Sequence, residues 1–130
     1  VPAMLGAIES ALHGAMAAVG GGQERVHVFS HLSHLYPTGS SLYTTYVFRL
    51  ADDPDESLAR WRALKTAASE AIVAQGGTIS HQHGVGEDHA AYLAAEKGVL
   101  GMDVLRAVIG QVDPDGIMNP GKLAGMSDAS

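Results

Sequence analysis

Cysteine is absent from the 130-residue chain, which excludes disulfides, thiolate zinc sites and a cysteine nucleophile. Aromatic residues are few, 5% of the total beside 46% apolar residues, so the core must be built mainly from Ala, Val, Leu and Ile. Basic residues are outnumbered: 8 Lys and Arg face 14 Asp and Glu, for a net charge of −6. That balance argues against a broad nucleic-acid surface, which needs clustered cations to release phosphate counterions. It argues equally against electrostatic docking on anionic lipid. No apolar run approaches the roughly 20 residues of a membrane span. The chain opens VPAML, with neither an initiator Met nor a basic region, and is expected to carry no signal peptide and to be a piece of a longer protein.

What is present fits one domain at most, with a real core. Pro2 suits a first helical turn, and Met4, Leu5, Ile8, Leu12, Met16 and Val19 recur at helical spacing before Gly20, Gly21 and Gly22. RVHVFSHL (25–32) and SSLYTTYVFRL (40–50) are rich in β-branched and aromatic residues and predict two strands. Pro37 and Gly39 supply the turn between them. The second strand places Leu42, Thr44, Tyr46, Phe48 and Leu50 on one face and Tyr43, Thr45, Val47 and Arg49 on the other. Asp53 is a candidate cap for a second helix, with Pro54 in its first turn and Leu58, Trp61, Leu64, Ala68 and Ile72 as its apolar stripe. Gly76 and Gly77 end it. TISH (78–81) predicts a short strand, Asp88–Lys97 and Met102–Val112 two closing helices, and the rest a loop. The order suggests an α+β fold, an antiparallel sheet covered by helices on one face.

Chemistry concentrates in three places. GGTISHQHGVGEDH, from Gly76 to His89, holds three histidines and four glycines. His81 and His83 share one side of an extended segment, the spacing of a two-histidine metal pair, yet a metal needs a third ligand and nothing fixes one. A catalytic pair stays open, though a structural, hydrogen-bonded role is the commoner one for an HxH in a Gly-rich loop, and Gly84 and Gly86 allow close backbone approach by a ligand. SHLSHLYPTGSSLY brings His31, His34, Tyr36 and Tyr43 to a strand end; a tyrosine beside histidines can do acid/base work, because a neighbouring imidazolium favours the phenolate. Hydrogen bonding within a polar sheet end is the blander role for the same residues. DPDGIMNPGKL, with Asn119 and Lys122, is by itself a turn-rich loop.

In order and spacing, the SHxSHxYxxGxxxY segment, the helix ending in GGTISHxHGVG and the closing DPxGIxNPGKL resemble the C-terminus of FAD-linked oxidases and transferases built on a vanillyl-alcohol-oxidase-like fold. The resemblance covers about Arg25 to Leu123. Two branches of that group differ at informative positions. Hydroxy-acid dehydrogenases place two metal-binding histidines where this chain has Tyr36 and Tyr43, and a glutamate where it has Gln82. Losing two imidazoles and a carboxylate leaves no plausible hard-metal set there. The alkyldihydroxyacetonephosphate synthase branch expects both tyrosines; the departure here is Gln82 in place of the middle histidine of a triple.

The resemblance implies the C-terminal, cap-side part (1–130) of a two-domain flavoprotein whose FAD-binding domain lies upstream. It implies FAD as cofactor, held mainly by that other domain, with no resident metal. The implied reaction exchanges the acyl chain of acyl-dihydroxyacetone phosphate for a fatty alcohol through an adduct at FAD N5, without net electron transfer. Tyr43 then matches the acid/base residue, and His81 and His83 match histidines beside flavin and substrate. Gln82 and Asn119 match cofactor contacts, and His31, His34 and Tyr36 match substrate-positioning residues. The implied partner is a small lipid-like molecule, with no nucleic acid. Such an enzyme is expected in a bacterial cytoplasm; the resemblance admits peripheral membrane association and a homodimer. The alternatives are an FAD-linked dehydrogenase of a 2-hydroxy acid or phosphorylated alcohol, and a non-catalytic domain that binds a metal through His81 and His83 or binds a protein.

Overall fold

A computed structural model describes residues 1–79 and 84–123. Helix α1 (Pro2–Val19) starts on Pro2 and buries Ile8, Leu12 and Met16, the i, i+4, i+8 row that a single packed face requires. Gly21 and Gly22 then turn the chain at positive φ, a conformation that costs a glycine little. Strand β1 (Val26–Tyr36) and strand β2 (Gly39–Phe48) follow and pair antiparallel as the one sheet of the described residues. Tyr36 faces Gly39, so the turn is the two residues Pro37 and Thr38. Both strands run further toward this tip than the expected 25–32 and 40–50, and β2 stops at Phe48, short of the expected Leu50.

Helix α2 (Pro54–Ala74) begins where its sequence predicts, with Asp53 Oδ1 accepting from the Asp55 N–H at 2.9 Å. Its end is a Schellman motif: Gly76 N–H donates to Val73 O and Gly77 N–H to Ile72 O, both at 2.9 Å, with Gly76 at φ 69. The core joins α1, β1 and α2 through Ile8, Leu12, Met16, Val26 and Leu64, with Met4, Val28, Tyr46, Phe48, Ala68 and Ile72 packed against it. Helices thus cover one face of an antiparallel hairpin, and the fold is α+β. Of the stripe expected on α2, Leu58 is exposed and Arg60 is buried instead. Arg60 earns that place by donating to Arg49 O at 3.0 Å and pairing with Glu56 at 2.7 Å and Glu24 at 3.6 Å. A buried guanidinium needs such partners.

Those elements form one unit, Val1–Gly77; the second comprises Thr78–Ser130. Thr78 and Ile79 are not in a strand, which corrects the expectation for TISH over the described residues. The two closing helices appear as α3 (Gly86–Val112), broken at Gly98, where φ 67 and ψ 176 interrupt the helical run. Leu93 and Met102 are its buried residues, whereas Val108 and Val112 of the expected stripe are exposed. After α3, the Asp113 carboxylate accepts from Ile117 N–H at 3.0 Å and Met118 N–H at 2.9 Å, which folds the segment into a turn. Lys122 then reaches Glu87 at 2.6 Å. Among the described residues no helix is long and apolar enough to cross a membrane.

Candidate functional site

The hairpin has two unlike faces. Val26, Val28, Ser30 and Leu32 pair with Phe48, Tyr46, Thr44 and Leu42, and directly opposed residues project to the same side. This side contains the residues packed on the core. The opposite side carries His27, Phe29 and His31 against Val47, Thr45 and Tyr43. Strict alternation would next place Ser33 and Leu35 on that side and send His34 and Tyr36 to the other. It does not, because the register shifts between Leu32 and His34: Ser33 is an extra residue, a β-bulge. His34 then opposes Ser41 and Tyr36 opposes Gly39. As a result His31, His34, Tyr36 and Tyr43 share one face.

Their contacts are specific. His31 and Tyr43 are cross-strand partners whose rings stack at 5.3 Å between centroids and 23° between planes. His34 stacks on Tyr36 at 6.3 Å and 12°. Ser33 Oγ lies 2.6 Å from Ser41 Oγ, and His34 Nδ1 lies 3.2 Å from Ser33 Oγ and 3.4 Å from Ser41 Oγ. Below this layer Ser30 and Thr44 join hydroxyls at 2.8 Å, tying the strands together on the packed side. Tyr36 and Tyr43 are about half exposed, 47% and 51%, so their phenol groups are accessible.

The four residues expected at the strand end are therefore brought together. Residues 81–83, His81, Gln82 and His83, lie outside the described residues. Asn119 belongs to the second unit, in the turn after α3, at φ 50, a left-handed conformation that asparagine tolerates better than most residues. In the same unit His89 Nδ1 lies 2.9 Å from Val85 O; a carbonyl only accepts, so this nitrogen bears the proton. Among the described residues no group of three His, Asp or Glu side chains is placed to hold a metal ion. Ser33 and Ser41 were not among the expected site residues. Their signal lay in the apolar rhythm Val26, Val28, Leu32, Leu35, whose last step is odd and marks an inserted residue.

The face offers flat rings with imidazole and hydroxyl groups at their edges. Such a donor set fits a planar heteroaromatic ring with polar edges, or a phosphorylated substrate. The family comparison bears on that fit: a model described as FAD linked oxidases, C-terminal domain, matches residues 1–123. The chain belongs to this family. As an FAD-linked oxidase C-terminal domain it is 33% identical over 93 residues to alkyldihydroxyacetonephosphate synthase of Trypanosoma brucei brucei, 72% of this chain and 15% of that protein. The synthase of Dictyostelium discoideum is 30% identical over 96 residues, 74% of this chain and 15% of that protein. D-2-hydroxyglutarate dehydrogenase of Stutzerimonas stutzeri is 34% identical over 73 residues, 56% of this chain and 16% of that protein. The chain thus spans less than a fifth of the length of these relatives.

Proposed function

We propose that this domain forms the substrate side of a flavoenzyme that exchanges the acyl chain of acyl-dihydroxyacetone phosphate for a fatty alcohol. The observation that carries this reading is the His31–Tyr43 stack on an exposed, imidazole-rich sheet face, in a chain similar to two alkyldihydroxyacetonephosphate synthases. When bound, FAD supplies a ring nitrogen able to act as both nucleophile and leaving group. The chain's own residues do the rest. The bond from the dihydroxyacetone carbon to the acyloxy oxygen breaks, releasing the fatty acid as its carboxylate, and a bond from that carbon to the alcohol oxygen forms. The Tyr43 hydroxyl relays the proton of the alcohol to the departing carboxylate or to water as the alcohol oxygen becomes bonded to carbon. No electron is gained or lost overall. His31, stacked on Tyr43 across the hairpin, holds the phenol ring in place. His34 and Tyr36 orient the substrate. His81, Gln82, His83 and Asn119 complete the reading as contacts to flavin and phosphate.

A second reading, oxidation of a 2-hydroxy acid or phosphorylated alcohol, is supported by the likeness to a D-2-hydroxyglutarate dehydrogenase. The flavin spectrum of the full-length protein separates the two. Without oxygen, acyl-dihydroxyacetone phosphate and a long-chain alcohol should return the flavin to its oxidised spectrum once the acyl substrate is spent. Bleaching by a hydroxy acid, with no effect of the acyl substrate, favours the dehydrogenase.

A further inference from the structure

Two histidines in this protein present the same ring nitrogen to different partners. His89 Nδ1 meets the carbonyl of Val85 at 2.9 Å, and a carbonyl accepts only, so a proton is fixed on that nitrogen. His34 Nδ1 meets two hydroxyls, Ser33 Oγ at 3.2 Å and Ser41 Oγ at 3.4 Å, which are themselves 2.6 Å apart. A hydroxyl both donates and accepts. When Nδ1 carries no proton, one serine donates to it and accepts from the other. When Nδ1 is protonated, the ring donates and the serine protons reorient. The pair is built by the bulge, since Ser33 is the inserted residue and Ser41 is the cross-strand partner of His34. Tyr36, stacked on the same imidazole, limits its rotation from the side.

We propose that Ser33 and Ser41 are positioning residues for His34: they hold its ring by Nδ1 on the face that carries Tyr43, and they keep that nitrogen hydrogen-bonded in both of its proton states. The role rests on the acyl-exchange reading only for its kinetic consequence. An imidazole so held can gain and lose a proton during turnover without swinging away from the substrate. Fixed carbonyl or carboxylate partners would each favour one state of Nδ1.

The test uses the full-length flavoprotein with ring-¹⁵N-labelled histidine, His34 being assigned from the spectrum of His34→Gln. In the wild type the His34 Nδ1 resonance should show a hydrogen-bonded nitrogen on both sides of its titration. The double variant Ser33→Ala/Ser41→Ala should move that resonance, lower kcat about tenfold and displace the pH profile of kcat, with KM changed less than about twofold. Were His34 to exchange a proton with the substrate it orients, its removal would cost about a hundredfold or more, so a tenfold loss suits displacement rather than removal. Ser33→Thr/Ser41→Thr, which keeps both hydroxyls, should restore resonance and profile. An alanine pair with wild-type resonance and profile overturns the proposal, as does a threonine pair that behaves like the alanine pair. The resonance needs no substrate: a wild type that forms no ether sinks the acyl-exchange reading and leaves this comparison intact.

Discussion

His31 and Tyr43 sit directly opposite one another across the hairpin, with their rings stacked at 5.3 Å and 23°. The pair belongs to the face turned away from the core, so the geometry of the phenol can be changed with little effect on folding. Tyr43→Phe keeps the stack and removes only the hydroxyl. Its kcat should fall by about a hundredfold or more, with an unchanged melting temperature and flavin content. Wild-type turnover by Tyr43→Phe would exclude the phenol as the proton carrier.

Leu12 is fully buried where α1 meets the hairpin and α2. Leu12→Ala should cost about 2–5 kcal/mol by loss of buried surface plus a residual cavity. Urea unfolding followed by far-UV circular dichroism measures it. A loss below about 1 kcal/mol would mean that the helices close over the gap.

Gly98 breaks α3 at φ 67 and ψ 176, a region that residues with a Cβ scarcely enter. A Cβ built there meets no atom within 4 Å, so any cost comes from the backbone and not from crowding. Gly98→Ala should destabilise the second unit by about 1–3 kcal/mol. Hydrogen exchange of the Leu93 and Met102 amides reads the effect locally, and unchanged protection would contradict it.

The Glu87 carboxyl is held below the ordinary glutamate value, first by its hydrogen bond from Lys122 and then by the Lys122 charge, with burial opposing slightly. A folded pKa below the unfolded one means that the tie stabilises at pH values above the unfolded pKa and fades as pH falls through the folded one. Titration of the Glu87 carboxyl carbon by NMR should therefore show a depressed midpoint that rises in Lys122→Met. Identical midpoints in the two proteins would remove the tie as the cause.

On the proposed reading, in which another domain holds most of the flavin, the chain alone should hold FAD poorly and turn nothing over. Purified 1–130 should be colourless and inactive. A yellow protein with one flavin per chain would place the binding site within these residues.

Much of this architecture was legible from local chemistry. Asp53, Pro54 and the Gly76–Gly77 pair delimit α2 as capping rules require, and alternation along 40–48 separated the core side of β2 from the Tyr43 side. The meeting of His31, His34, Tyr36 and Tyr43 was expected only as a cluster at a strand end. The single-face arrangement depends on one inserted residue, Ser33, and a period-2 reading sends His34 to the wrong side. Arg60 was missed because, beside its i−4 neighbour Glu56, its burial rests on Glu24 and the Arg49 carbonyl, two partners outside the helix that no local pattern reveals. Thr78 and Ile79 looked like a strand because isolated β propensity is satisfied by a threonine and an isoleucine, while a strand also needs a neighbour to pair with.

The most direct measurement follows both products of the full-length protein given acyl-dihydroxyacetone phosphate and a long-chain alcohol, with oxygen and electron acceptors excluded. Acyl exchange predicts fatty acid and ether product released in equal amounts over many turnovers. Failure to form either product with the flavin intact would contradict the proposed reaction.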